Sequence, residues 1–596
     1  MLGKIKSVCQ NNKVINLLEL FCMVLSLFCI TNTDSYTNVY VLCFIIGIIG
    51  LIYNKYINKP FLTKRKFVFY IIAAFLFSIC IVMSNYQYLL GISSTLVILD
   101  SLIKTFIVFV GCICIGWNSL CMFDGFFNQF GSRANTYKIS LTCTALICFF
   151  SILIIDLIYL FVFEYPGNLS QDSINQMNQV VSNTYSNHHP FFHTILIKAC
   201  FSFGMLLFDE INAAVACYSV FQILFMATCF TYCVVTLYQM KVPSIWIVLT
   251  ILFFTFTPYH IAYSITMWKD IPFAGAVLLL ITALYRIFMR IGKHQWINLL
   301  GLIIGSMGMC LWRTNGWIAF ALTLIVFLMF FLKEYKRIAI LFSAVIVITF
   351  IMIHPILALL NIKQPDTIES LSIPVQQISR VVVDDGNIST QEYNLLNNII
   401  ETNKIPEVYK PYISDPIKEL VRKTDKQEYL PEHKSEYLKL WIAVGLKNPR
   451  KYLEAWVDQT KGYWNGGYSF WIWGEYVLDN SLGIKKSEHS EFDKLYGMKA
   501  YIFDNFCYDG FFDFLRSAGL CTWIIAACGC IALANKYKKR AFLVVPLLAI
   551  ILTLCIATPV FCEFRYVYAL FTCAPMIICT TFYKEESDLQ EYNSSH

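Results

Sequence analysis

Charge is scarce in this chain of 596 residues: Asp, Glu, Lys and Arg make up 14% of it, against a hydrophobic fraction of 57%. Soluble domains carry roughly 25% charged residues, so a freely soluble enzyme is excluded. Segments of about ten residues with alternating polarity are missing, which excludes an outer-membrane barrel. Cys-x-x-Cys spacing is missing too, although there are 23 cysteines, and the largest polar segment, 360–515, holds only Cys507. Neither a disulfide framework nor a structural metal site is readable, and cysteine in apolar runs serves as a small apolar filler. No small-residue cleavage signature follows the first apolar run, which is read as a retained span. Internal repeats, low-complexity tracts and the inverted symmetry of many transporters are also absent. The net charge of +7 sits in short basic loops, a pattern that serves topology rather than nucleic-acid binding.

What is present is a series of apolar runs, many of about 17–25 residues, each long enough to cross a bilayer as a helix. They fall near 13–31, 38–54, 67–84, 102–122, 139–163, 213–239, 243–258, 271–289, 297–311, 316–332, 338–359, 516–534, 541–559 and 565–582. A further run, 192–208, is short and carries His193 and Lys198. The expected fold is therefore an all-α polytopic membrane protein. Lys4, Lys6 and Lys13 place the amino terminus in the cytoplasm, the basic loop Lys55–Lys66 (with Lys59) returns there, and loop 164–191 falls outside. If 192–208 crosses, the basic loops around Arg290, Lys336 and Lys538 all land outside; if it lies in the outer interface, all land inside. The second option fits the positive-inside rule three times over. It gives an interfacial helix, about fourteen spans and both termini in the cytoplasm of a plasma-membrane protein. The expected parts are an amino-terminal four-span region (1–138), a membrane core (139–359), a mainly helical extracytoplasmic domain (360–515) and carboxy-terminal spans with a tail (516–596).

This topology puts several polar segments on one face. Asp172 lies in a Pro-Gly-led loop and either accepts a proton or binds a cation, or caps the helix expected from Ser173 to Val180. His188 and His189 precede Pro190, which favours an extended segment whose neighbouring side chains point apart; one of them is expected to face Asp172. Lys269 and Asp270 sit at the mouth of a span. There Lys269 suits a phosphate or snorkels, and Asp270 suits an N-cap ahead of Pro272. Arg313 lies between two apolar runs and Arg565 where the last one begins, positions where charge is costly and usually paired or functional. Asp156, inside the fifth span, is read as a structural carboxyl bonded to a neighbouring helix. In the outer domain, a helix is expected over 436–446 and another from Asn448-Pro449, followed by an aromatic patch, Tyr463 to Trp473, that suits sugar stacking or an interface.

Tyr165-Pro-Gly-Asn-Leu-Ser-Gln-Asp172-Ser, His188-His-Pro-Phe-Phe-His193, Lys269-Asp270-Ile-Pro, Trp312-Arg-Thr-Asn-Gly and Glu563-Phe-Arg-Tyr566 together resemble the GT-C superfamily of membrane glycosyltransferases. More narrowly they resemble the uncharacterised DUF6020-type bacterial membrane proteins. The resemblance covers about 139–360 plus the last spans. It implies a GT-C-like helical core with outer interfacial helices and a polyprenyl-phosphate-linked sugar donor. The implied acceptor is a cell-envelope glycan, lipid or protein, and the implied reaction is an inverting transfer. Asp172 would be the catalytic carboxylate, with His188 and His189 beside it and Lys269, Asp270, Arg313 and Arg565 binding substrate. Many relatives carry adjacent acids in the first loop, whereas Gln171 and Ser173 flank Asp172 here. A divalent cation and metal-free base catalysis both stay open, as do a polysaccharide polymerase or ligase and a lipid-linked glycan transporter.

Overall fold

The computed structural model describes residues 13–30, 37–57, 62–89, 95–130, 137–423, 426–469, 471–472, 474, 476–487 and 493–582. Lys4, Lys6, Lys59, Phe470, Trp473 and the tail 583–596, all used in the sequence reading, lie outside them. The described residues form helices and connecting segments, with isolated bridges in place of strands. This follows from composition: in hydrocarbon, backbone groups must be satisfied within the segment.

Every apolar run is helical. The amino-terminal helices are α1 (Lys13–Ile30), α2 (Thr37–Ile52), α3 (Lys64–Ser84) and α4 (Thr95–Phe130). They are followed by α5 (Leu141–Ile158), α6 (Gln171–Ser182), α7 (Phe191–Phe208), α8 (Ile211–Gln239), α9 (Ser244–Phe256) and α10 (Pro258–Ser264). Then come α11 (Asp270–Phe288), α12 (Gln295–Leu311), α13 (Gly316–Phe331) and α14 (Lys336–Ile351). Among the described residues 10 helices, α7 included, are long and apolar enough to cross a membrane, or up to 12 if two bent pairs each count as one span; α1, α12 and α13 are apolar but shorter. The multi-pass character stands.

The centre is α11, almost every residue of which is buried. It packs against α8, α12 and the last helix, α24 as numbered below. Glycine permits the closest of these contacts: a Cβ on Gly305 of α12 would lie 2.5 Å from the Leu280 backbone nitrogen. Small residues that let backbones approach are the usual adhesive between helices in lipid. Asp156 of α5 is buried and lies beside Ser264 of α10.

In chain order, between α14 and the carboxy-terminal helices, a second apolar core draws on residues between Ile368 and Tyr452. It is built by α15 (Ser372–Val383), α16 (Thr390–Asn397), α17 (Asp415–Arg422), α18 (Lys434–Lys447) and α19 (Pro449–Thr460). Proline begins α19 as expected, but Asn448 does not cap it with its side chain. Its amide instead binds the backbone of Asn387 and Val444. The chain continues through α20 (Asp493–Tyr508) to α21 (Ala518–Ala534), α22 (Lys538–Phe542), α23 (Val545–Ala557) and α24 (Phe564–Phe582).

One polar segment, 476–487, meets the chain before α6 and after α7. Ahead of α6, Leu169 pairs with Tyr476 and Leu478, and the Ser487 amide donates to the Tyr165 carbonyl at 3.0 Å. Just after α7, Asn212 donates to the Lys485 carbonyl at 3.0 Å. An 18-residue helix is roughly 27 Å long.

Candidate functional site

The site begins with a loop that cannot be built from larger residues. Gly167 has φ +126°, and a Cβ there would strike Ser219 and lie 2.8 Å from the Ile265 carbonyl. Asn168 then bonds Ile265 and Met267, while Leu169 bonds Tyr476 and Leu478. Ser170 is the N-cap of α6, so Asp172 is not the cap. It sits in the helix's first turn, where the helix dipole favours a carboxylate.

Opposite it, the turn 263–266 is held from α8. The Gln222 side-chain nitrogen lies 2.9, 3.0 and 2.9 Å from the carbonyls of Tyr263, Ser264 and Thr266. All of these groups are buried, so their hydrogen bonds have no water to replace them. Gln222→Leu is expected to cost about 1–3 kcal/mol, read as a lower unfolding midpoint in detergent.

The turn delivers Lys269 to Asp172. The Lys269 ammonium stands 3.5 Å from Asp172 Oδ2, and the Arg565 guanidinium, arriving from α24, donates to the same oxygen at 2.8 Å. Burial pushes the Asp172 carboxyl up, but Lys269 and Arg565 outweigh it and hold the group well below the usual carboxylate range. The Asp172 side chain keeps 28% exposure, so it is reachable. Arg565 also donates from Nε to Glu563 at 3.1 Å and lies 4.8 Å over the Trp268 ring. Glu563 is buried; burial raises its carboxyl, against the opposing charge of Arg565. Trp268 is fixed in turn by its indole N–H, which donates to Ser170 Oγ at 2.7 Å.

The two histidines part company. His189 is buried, with Nδ1 3.3 Å from the Lys269 ammonium. An ammonium only donates, so Nδ1 accepts and Nε2 carries the proton; Nε2 is buried and unpartnered. Burial, then the charge of Lys269, pushes the His189 pKa down to about 3. His188 is exposed, its ring 4.9 Å edge-on from that of His189, and it is not among the partners of Asp172. The expectation that one histidine faces the acid group resolves to His189, reaching it through Lys269. His193, on α7, is spent in a buried chain from Gln176 to Tyr218.

Because its folded pKa lies below its unfolded one, His189 contributes stability that is fully present above pH 6.5 and is lost as pH falls toward 3. Asp172, also lowered, loses its contribution only below its ordinary value of 3.8. Between pH 6 and 5 the unfolding midpoint of the wild type should therefore fall more steeply than that of His189→Gln; parallel curves would exclude the buried neutral histidine.

Asp270 and Arg313 are placed beneath this cluster. Asp270 is the first residue of α11, with Lys269 as N-cap, which corrects the capping role expected of it. It is fully buried, 3.2 Å from Arg313 Nε. Arg313 donates to the Tyr566 carbonyl at 3.0 Å and lies 4.6 Å over the Tyr566 ring. In this conformation Asp270 has no surface to offer a substrate. Sequence reading named Glu563 only as a partner and missed Gln222 and Tyr476. Tyr476 feels the charges of Arg565, Asp172 and Glu563, yet nothing in its local sequence marks it.

Among the described residues no three His, Cys, Asp or Glu side chains are grouped to hold a metal ion. The partners of Asp172 Oδ2 are themselves cations. This donor set does not fit a divalent ion.

One family model matches the chain, over residues 177–595, and its description is a family of unknown function, DUF6020. The chain belongs to the DUF6020 family. His188, His189, Lys269, Asp270, Arg313 and Arg565 fall within the DUF6020 match, whereas Asp172 and helices α1–α5 precede it. No curated protein and no solved structure matches.

Proposed function

We propose that this protein is a membrane glycosyltransferase, moving a sugar from a polyprenyl-phosphate-linked donor to a cell-envelope acceptor at the outer face. The observation that carries the reading is the convergence on Asp172 Oδ2 of Lys269 and Arg565, delivered by segments far apart in sequence. An acceptor hydroxyl attacks the sugar's anomeric carbon from the side opposite the phosphate. A new C–O bond forms, the bond from that carbon to the phosphate oxygen breaks, and the phosphate leaves with the electron pair. Asp172 takes the hydroxyl proton, and Lys269 and Arg565 receive the departing phosphate. Until the donor arrives these same cations quench the carboxylate. A phosphate that draws them away restores its basicity, which ties base strength to donor binding. Asp270 and Arg313 anchor the floor, and His189 holds Lys269 in place through Nδ1.

The chain around α6 and α7 supports placing this chemistry at one membrane face. Residues 165–169, after α5, and Asn212, after α7, bond the same segment, 476–487, so the chain leaves α7 at the level where it left α5, which suits a helix lying along the surface better than one crossing about 30 Å of hydrocarbon. Both termini would then be cytoplasmic. A labelling reagent confined to the outside should modify cysteines introduced at 209–212; reactivity from the cytosol alone would overturn the topology. The activity itself is tested by comparing cell-envelope glycans of a deletion strain and its parent by mass spectrometry. A missing sugar that returns with the wild-type gene supports transfer. A changed chain length points to a polymerase, and unchanged glycans reject the reading.

A further inference from the structure

Away from the Asp172 cluster, a cavity of about 1040 Å³ runs along the seam between the amino-terminal helices and the carboxy-terminal ones. Its walls come from α2, α3 and α4 and from α21 to α24, with further residues of α9, α10 and α13, and Phe69, Phe77, Trp523 and Phe571 are among the lining groups. Along α21 it extends from Leu520 to Leu533, roughly 20 Å at helical rise. Ordered water needs two to four polar partners, and this lining has few. A space of this length and chemistry takes an extended hydrocarbon chain.

Among the described residues two charged groups line it, Arg65 and Lys538, both exposed and both at the end where α21 finishes. No described lining residue is acidic. Neighbouring Lys66 is neutralised by Asp124 at 2.6 Å, and Arg65 uses its Nε on the Leu533 carbonyl at 3.0 Å, leaving most of its five N–H donors turned elsewhere. Lys269 and Arg565 are not in the lining. We infer that this cavity is a binding site for an anionic phospholipid, its acyl chains in the seam and its phosphate on Arg65 and Lys538. The first three walls precede residue 177, where the family match begins, so the amino-terminal helices complete the site. The inference stands independently of the transferase reading.

The test uses the full chain in mild detergent, titrated with phosphatidylglycerol or with phosphatidylcholine of the same acyl chains, and followed by native mass spectrometry. Two surface cations favour the anionic lipid by roughly thirtyfold. Arg65→Gln/Lys538→Gln should abolish that preference while keeping chain-dependent binding. Ala527→Phe, which narrows the seam from α21, should weaken both lipids, and an unchanged unfolding midpoint confirms that each variant folds. Equal affinity of the wild type for the two lipids, or a preference that survives the double variant, overturns the inference. So does co-purification of a polyprenyl phosphate in the seam whose retention depends on Arg565 instead.

Discussion

Asp172→Asn should abolish sugar transfer while leaving a folded, membrane-inserted protein. Asparagine keeps the shape and an oxygen that accepts from Arg565, 2.8 Å away in the wild type, so the first turn of α6 need not move. It removes the basic oxygen. A positioned general base contributes roughly two to four orders of magnitude, and the loss should appear in kcat at saturating donor. Donor affinity should rise or stay level, because Lys269 and Arg565 are freed from their internal counter-ion. Membranes from cells expressing equal amounts of each form, supplied with labelled polyprenyl-phosphate sugars, give the measurement. Transfer at the wild-type rate would sink the assignment of Asp172 as base.

The parallel change Arg565→Lys separates charge from geometry. Lysine keeps the positive charge but replaces the planar fork, whose separate nitrogens reach Glu563 and Asp172 at 3.1 and 2.8 Å, with a single nitrogen. If the fork matters, donor affinity falls although net charge is unchanged.

The sequence shows the outline of this site but not its hierarchy. Charge scarcity makes each polar residue near an apolar run conspicuous, and that alone picks out Asp172, Lys269, Asp270, Arg313 and Arg565. Charge parity groups them on one face, and the structure does bring them together. What local sequence cannot give is depth. Lys269 and Asp270 are neighbours, yet one ammonium reaches the partly exposed carboxylate while the other side chain is sealed under it. His188 and His189 are equivalent as letters and differ in burial because Pro190 extends the backbone and turns one ring inward. Gln222 sits mid-way along an apolar helix, and its three carbonyl partners come from a turn some forty residues on. Span number is hard to read for a related reason: α12 and α13 are apolar but short, and whether a short helix crosses depends on what covers its ends.

Depth also decides the largest expected loss of stability. Arg313→Leu leaves the Asp270 carboxylate fully buried without its partner at 3.2 Å, and removes the bond to the Tyr566 carbonyl at 3.0 Å. Breaking one side of a buried ion pair costs about 3–5 kcal/mol, against a total stability for most proteins of about 5–15 kcal/mol. The variant should express poorly and unfold at a markedly lower temperature in detergent. Removing both charges is a different perturbation, because well-packed neutral groups in place of a buried pair are often tolerated. Arg313→Leu/Asp270→Asn should therefore recover much of the lost midpoint. If the recovered double variant also transfers sugar at a wild-type rate, the pair serves as the floor of the site and nothing more. If it folds but loses donor affinity, Arg313 carries a share of the phosphate recognition that its position beneath Arg565 and Tyr566 would otherwise hide. A double variant as unstable as the single one would mean that the Arg313 contacts with Tyr566, not its ion pair with Asp270, hold α24 against α11.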